Sequence, residues 1–285
     1  MSSPAVVACR TRRDVVVVRG DDAATYLQGQ LSQDVVGLPT GESAWSFVLG
    51  PQGKVDGWGR VHRLADDAFE IDVDPGAGLE WEARLRRFLL RTRADIVVEP
   101  DVAALAVRGT TVPGGLPTAG PSLVGSDLLR VAPDAWPASM PPDAVEVGAA
   151  ALEARRIRAG VPAWGREIDH DTIPATLGAW VVETSVSFTK GCYTGQELVA
   201  RIDSRGGHVP RRLVGIECTG PAPAAGAPVH VDDAMVGTVT SSVDEPGRGA
   251  VALAFAPRAV DIGADGIACE VAGSPGRLRP LPLPT

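Results

Sequence analysis

The stretch KGCYTGQELVAR, Lys190 to Arg201, gathers a lysine, a thiol, two glycines, a glutamate and an arginine in a chain with four cysteines. Thr194 with Glu197 three residues on matches a capping box, which predicts a helix from about Gly195 to Asp203. Glu197 and Arg201 are then four apart, in the favourable order for a helical ion pair worth ~0.2–0.5 kcal/mol. Helix capping leaves Lys190 and Cys192 unexplained. Cys192 precedes the predicted N-cap and lies near Lys190, where the helix dipole and a neighbouring cation favour thiolate. No histidine is adjacent to serve as its base; His170 and His208 qualify if the fold delivers them. Gly191 and Gly195 permit close approach of a carboxylate or phosphate to backbone N–H groups.

Several chemistries are disfavoured at once. Cys9, Cys192, Cys218 and Cys269 include no CxxC pair, and His62, His170, His208 and His230 are scattered, so no metal site and no disulfide framework are expected. The formal charge is −8, with no Lys/Arg-rich run of five or more, which argues against nucleic acid and anionic membranes as partners. No apolar stretch reaches ~18 residues, so the chain reads as soluble and cytoplasmic.

With 285 residues, 33 of them glycine and 24 proline, the chain exceeds one hydrophobic core and is rich in turns. DVVVVRG, Asp14 to Gly20, reads as a buried strand, followed by a helix with Asp21 or Asp22 as N-cap. AWSFVLGPQGKVDGWGRVHRL reads as two strands around a Gly-Pro turn, and AFEIDVDPG as a third. GLEWEARLRRFLLRTRADIVVE reads as a helix with Leu79, Leu85, Phe88 and Leu89 on one side, then a strand. VGAAALEARRIRAG is the strongest helix, with Gly160 suited to a left-handed stop. From Arg211 onward five β-like segments at roughly ten-residue spacing predict a small barrel or sandwich.

The twelve-residue stretch strongly resembles the signature K-G-C-[FY]-x-G-Q-E-x-x-[AS]-R of the YgfZ family, folate-binding relatives of the glycine-cleavage T-protein (aminomethyltransferase) tied to iron–sulfur cluster assembly or repair. RIRAGVPAWGREI, DAATYLQGQLSQDV and LGPQGKVDGWGRV are similar to further family motifs, in the same order. The resemblance implies an α+β, three-domain ring like the T-protein. A first domain would comprise residues 1–50 with 145–210, an inserted ferredoxin-like domain 51–144, and a C-terminal β-barrel 211–285. It further implies tetrahydrofolate as cofactor, iron–sulfur proteins or their assembly machinery as partners, and a monomer.

Carried over by motif, Cys192, Lys190 and Asp56 are the catalytic candidates, and Gln28, Tyr193, Gln196, Glu197 and Arg201 the cofactor-binding ones; Gln30 and Asp34 share the N-terminal motif. The chain departs from the family at Thr176, where the T-protein pattern has a glutamate that holds the pterin through two hydrogen bonds. Glu183 is the candidate to replace it. Three functions follow: a folate-binding accessory protein for iron–sulfur enzymes, an aminomethyltransferase assisted by Asp56, or a folate-free interaction protein on the same fold. The cysteine signature, which the T-protein lacks, argues against the second.

Overall fold

The computed structural model describes residues 5–204 and 206–284. In chain order the elements are β1 (Val7–Arg19), α1 (Ala23–Gln30), β2 (Ser43–Leu49), β3 (Val55–Ala65), β4 (Ala68–Val73), α2 (Gly78–Arg86), β5 (Asp95–Arg108), β6 (Leu116–Pro117), β7 (Gly125–Leu129), α3 (Trp136–Ser139), β8 (Val145–Glu146), α4 (Ala149–Ala159), α5 (Ala179–Ser185) and α6 (Gln196–Ser204). Six further strands complete the chain: β9 (Arg211–Cys218), β10 (Pro228–Val231), β11 (Ala234–Glu245), β12 (Gly249–Pro257), β13 (Ile267–Val271) and β14 (Ser274–Arg279).

The first part of the chain forms one sheet in the order β2-β3-β4-β1-β5-β7-β6, with β8 added parallel to β1. The Val15–Val18 run is buried because β1 lies centrally, antiparallel to β4 on one side and β5 on the other. The strand expected at the end of GLEWEARLRRFLLRTRADIVVE continues to Arg108 as β5, running antiparallel to β1 along its whole length. Register in that pair shifts between Arg13 and Val15, setting Asp14 at a bulge. The freed carboxylate accepts the backbone N–H groups of Gly76 and Gly78, each at 3.0 Å. A residue remote in sequence thus satisfies orphan donors at the start of α2.

Helices α1 and α2 cover one face of the sheet, where Val16, Leu27, Val61, Ile71, Trp81 and Leu85 form a core. Trp81 is 1% exposed, and its removal would cost ~3–5 kcal/mol. The helix expected to face the core with Leu79, Leu85, Phe88 and Leu89 ends at Arg86. Leu85 and Trp81 are its buried anchors, whereas Leu79 and Phe88 are solvent-facing. Asp22 occupies the N-cap position of α1 without capping it, because its carboxylate is engaged by Arg93.

A second core, with Phe47, Leu49, Trp58, Leu177, Val181, Tyr193 and Val199, joins β2 and β3 to α5 and α6. Strands β9 to β14 close a six-stranded barrel in the order β10-β11-β12-β9-β14-β13. Its sixth strand, Ser274–Arg279, carries Pro and Gly and escaped the periodicity reading. Helix α4 stops where expected: Gly160 has φ +70°, its N–H reaches the Ile157 carbonyl and that of Val161 reaches Arg156, which is the Schellman pattern.

The segment RIRAGVPAWGREI fastens the barrel to the sheet-bearing part. Arg156 donates to both Glu153 oxygens (2.9 and 2.8 Å), to Glu167 (3.0 Å) and to Ser241 of β11 (2.8 Å). Glu167, 1% exposed, accepts from Thr240 and Ser241, both at 2.6 Å. Arg158 binds Glu245 at the end of the same strand. No helix among the described residues is long and apolar enough to cross a membrane.

Candidate functional site

Three places collect the chemistry. The first is a cavity of about 630 Å³ between the sheet, α4 and the barrel, walled by Trp45, Trp58, Leu123 and Val161 and edged by Arg13, Arg108 and Arg166. Alternation along β2 and β3 brings the two tryptophans together, ring centroids 4.4 Å apart, with the Arg60 guanidinium 5.4 Å from the Trp45 ring. Trp58 is pinned by donating from Nε1 to Ser185 at 2.9 Å. The carboxylates at the cavity are committed to arginines: Asp74 to Arg13, Asp127 to Arg60 and Arg108, and Glu153 to Arg156 and Arg166. Two buried donors of the wall, Trp45 Nε1 and Arg108 Nε, have no hydrogen-bond partner among the described residues.

The second place is the signature turn ahead of α6. Lys190 Nζ donates to the carbonyl oxygens of Gln28 (2.6 Å), Leu31 (2.7 Å) and Gln33 (3.0 Å), and stands 5.1 Å from the Tyr193 ring. Burial lowers its pKa to about 8, against the opposing pull of Asp34. Gln28 itself organises the loop after α1, donating to Asp34 and accepting from Val35 and Val36. Gln196 Oε1 accepts the Tyr193 N–H at 3.1 Å, so the back-reach expected of Glu197 is made one residue earlier. Glu197 and Arg201 are exposed, and no ion pair joins them among the described residues. Burial pushes the Tyr193 phenol up to about 12.

Gly195 has φ +81°, and a Cβ there would lie 2.4 Å from the Gly50 carbonyl oxygen. Gly53 is locked on the same contact, since its Cβ would come within 2.6 Å of Leu198. The signature turn and the Gly50–Lys54 turn therefore interlock through glycine backbones. Cys192 is exposed, whereas Cys9, Cys218 and Cys269 are buried.

The third place surrounds Asp56. Val48 pairs with Gly57 and Leu49 with Val55, which leaves Asp56 at a bulge that re-aims its side chain. Arg84, 6% exposed, donates to Asp56 Oδ2 (2.8 Å), Gln30 Oε1 (3.2 Å) and the Leu49 carbonyl (2.6 Å). His170 Nδ1 stands 3.7 Å from Asp56 Oδ1, and its Nε2 3.9 Å from Glu80. The fold therefore brings His170 to Asp56. Gly50 separates this cluster from the signature turn, lying against the Asp56 carboxylate on one side and Gly195 on the other.

None of Cys192, Lys190, Asp56, Tyr193, Gln196, Glu197, Arg201, Gln28 and Glu183 is among the residues lining the first cavity. Glu183 edges a separate apolar cleft of about 660 Å³ between α5, α6 and the barrel, with Trp180, Phe188 and Ile202. Thr176 is 2% exposed and donates its hydroxyl to the Ile173 carbonyl at 2.7 Å. Trp45, Trp58, Arg84 and Arg108 gave no sequence signal, because a strand tryptophan or an isolated arginine is as readily core or surface. No group of three or more His, Cys, Asp or Glu among the described residues is arranged to hold a metal ion.

A sheet backed by helices and locked through an arginine-bearing helix to a closed six-stranded barrel is the architecture of the T-protein class. The crystal structure of glycine cleavage system aminomethyltransferase T from Bartonella henselae matches it with a TM-score of 0.75 at 19% identity, over 97% of this chain and 86% of that one. In sequence the chain is similar to YgfZ proteins and to aminomethyltransferases. It is 26% identical to the tRNA-modifying protein YgfZ of Vibrio atlanticus over 208 residues, 67% of this chain and 63% of that protein. An uncharacterised protein of Haemophilus influenzae is 28% identical over 69% of this chain and 68% of its own length. An aminomethyltransferase of Rubrobacter xylanophilus is 29% identical over 94% of this chain and 80% of its own. The match to the Vibrio YgfZ thus spans less than two thirds of that protein's length. No family model matches the chain.

Proposed function

We propose that this protein is a YgfZ-like accessory factor that binds a reduced folate in the tryptophan-walled cavity and supports assembly or repair of iron–sulfur proteins, with Cys192 as its working thiol. The observation that carries the reading is the division of labour in the signature. Lys190, Gly195 and Gln196 are consumed in building the turn, while Cys192 is left exposed beside it. Cys192 is thus the one thiol that the signature presents to solvent.

The cavity suits the folate class by size and by the flat faces of Trp45 and Trp58, with the unpartnered Arg108 Nε–H and the half-exposed Arg166, itself paired with Glu153, as the donors nearest an anionic tail. A bound reduced folate would supply ring nitrogens able to carry a one-carbon unit. The pterin edge is the weaker half of the fit: Thr176 is sealed in its turn, Glu183 edges the other cleft, and the carboxylates at hand are spent on arginines. Losing a charge-assisted pair of ~1.5–3 kcal/mol lowers the expected affinity about 10- to 150-fold below that of a site with the glutamate.

The YgfZ relatives are named for tRNA modification. With a net charge of −8, this chain is assigned protein partners in preference to direct contact with nucleic acid. Deleting its gene is expected to lower the activity of iron–sulfur enzymes, and a Cys192→Ala chain is expected not to restore them; full restoration overturns the role of the thiol. The buried Thr176 favours one alternative, a folate-free interaction protein on the same fold. Calorimetry with tetrahydrofolate separates the two, since no heat up to millimolar ligand would select the alternative.

A further inference from the structure

Cysteine spacing along the chain argues against a metal site, but it does not report pairing across strands. In the barrel, Cys269 of β13 pairs with Gly276 of β14, and Gly276 pairs on its other side with Cys218 of β9. The three residues form one row, so they share a face of the sheet. That face is the barrel interior, where both cysteines belong to the core with Val214, Ile216 and Leu278. The middle member of the row has no side chain. We propose that Cys218 and Cys269 form a two-coordinate site for a soft monovalent metal ion, Cu(I) in a cell, held across the gap that Gly276 leaves.

Sulfur already leans into that gap. A Cβ at Gly276 would lie 3.3 Å from Cys269 Sγ. Directly paired Cβ positions are about 4.5–5.5 Å apart, so Cys269 Sγ reaches over the glycine towards Cys218. Two strand spacings set the Cα atoms of the cysteines roughly 9 to 10 Å apart, beyond the ~7 Å limit for a disulfide, so the pair does not close on itself. Metal–thiolate bonds are about 2.3 Å long, so one ion in linear coordination spans about 4.6 Å between sulfurs, where a direct S–S bond falls short.

Ligand type and access agree. Thiolates select Cu(I), and among the described residues no third His, Cys, Asp or Glu joins the pair to complete the four-ligand set that Zn(II) takes. Cys218 ends β9 and its other neighbour, Ala250, is the second residue of β12, so the row lies at the barrel rim. Cys269 is 9% exposed there. Burial, and next the charge of Cys218, push the Cys269 thiol up to about 11, while the Leu278 backbone N–H opposes them by donating to the sulfur. Burial likewise pushes Cys218 up to about 11. Both thiols are therefore protonated before the ion arrives. Binding breaks two S–H bonds, releases two protons to water and forms two S–Cu bonds, with the oxidation state of copper unchanged.

The test uses the full chain carrying Cys192→Ser, which removes the exposed thiol, with Cu(I) supplied anaerobically as its bicinchoninate complex. The chain is expected to draw one Cu(I) per molecule, with affinity rising about 100-fold per pH unit near neutrality, tenfold for each proton released. X-ray absorption at the copper edge is expected to show two sulfur ligands and no third. Cys218→Ala and Cys269→Ala should each lower the affinity at least ~100-fold, and Cys9→Ala should leave it unchanged. Gly276→Ala keeps both thiols but sets a methyl group against Cys269, and should lower the affinity about tenfold or more, so the outcome does not hang on the cysteine variants folding. No uptake by the Cys192→Ser chain, undiminished affinity in either barrel cysteine variant, or a third ligand on the metal overturns the proposal.

Discussion

Lys190 holds the end of helix α1: its ammonium donates to the Gln28 carbonyl oxygen at 2.6 Å, across 162 positions of sequence. With Leu31 and Gln33 as further acceptors, all three donors of the ammonium are occupied, as a structural clamp requires. Lys190→Met leaves three carbonyls without their donor and should destabilise the fold by about 3 kcal/mol. Urea denaturation measures this, and a loss under ~1 kcal/mol would return Lys190 to the list of chemically free groups.

The interlocked glycines make a second prediction. At Gly195 the φ of +81° and the 2.4 Å approach to the Gly50 oxygen both oppose a side chain. Gly195→Ala should cost upwards of ~2 kcal/mol and loosen both turns, whereas Gly191→Ala, with open space around it, should change stability little. Comparable melting curves for the two variants would contradict the contact.

Asp34 sets an acid limit on the same region. The backbone N–H of Gly37, and next the Gln28 amide, hold its carboxyl below the ordinary value of 3.8. A group with a depressed folded pKa contributes stability that is whole above the unfolded value and is lost as pH falls through the folded one. The predicted loss thus begins below about pH 4. Asp34→Asn should flatten that limb of the stability profile and leave it unchanged near neutrality; an identical acid limb in the variant would exclude Asp34 as its source.

Thiol accessibility is sharply divided. Burial raises the pKa of Cys9 and pushes those of Cys218 and Cys269 up to about 11, while Cys192 is exposed. A maleimide reagent should modify one thiol per native chain, which peptide mass mapping should place at Cys192, and all four after denaturation. Cys192→Ser should alter stability by no more than ~0.5 kcal/mol. Rapid native labelling of a second cysteine would show the barrel or β1 to be open.

Arg84 ties Asp56 to Gln30 and to the Leu49 carbonyl. Arg84→Met strands a carboxylate whose side chain is 24% exposed, and should cost about 2 to 3 kcal/mol, less than a fully buried pair would. The double variant with Asp56→Asn should recover part of that loss, and additivity of the two would show the residues to be uncoupled.

The sequence by itself determined the elements whose reasons are local. The apolar run at Val15–Val18, the glycine stop at Gly160 and the ten-residue rhythm after Arg211 each carry their structure in a few neighbouring residues. The signature of the family was equally legible, being one contiguous stretch. What only the tertiary structure decided were relationships between distant positions. It set the Lys190 ammonium on three carbonyls at the end of α1, and gave the capping contact to Gln196 in place of Glu197. It carried His170 to Asp56, and Trp45 to Trp58 at the wall of the cavity. Periodicity reports which face of an element is apolar; it is silent on which polar side chain meets which, because a bulge at Asp56 or a register between strands is set by packing across the whole sheet.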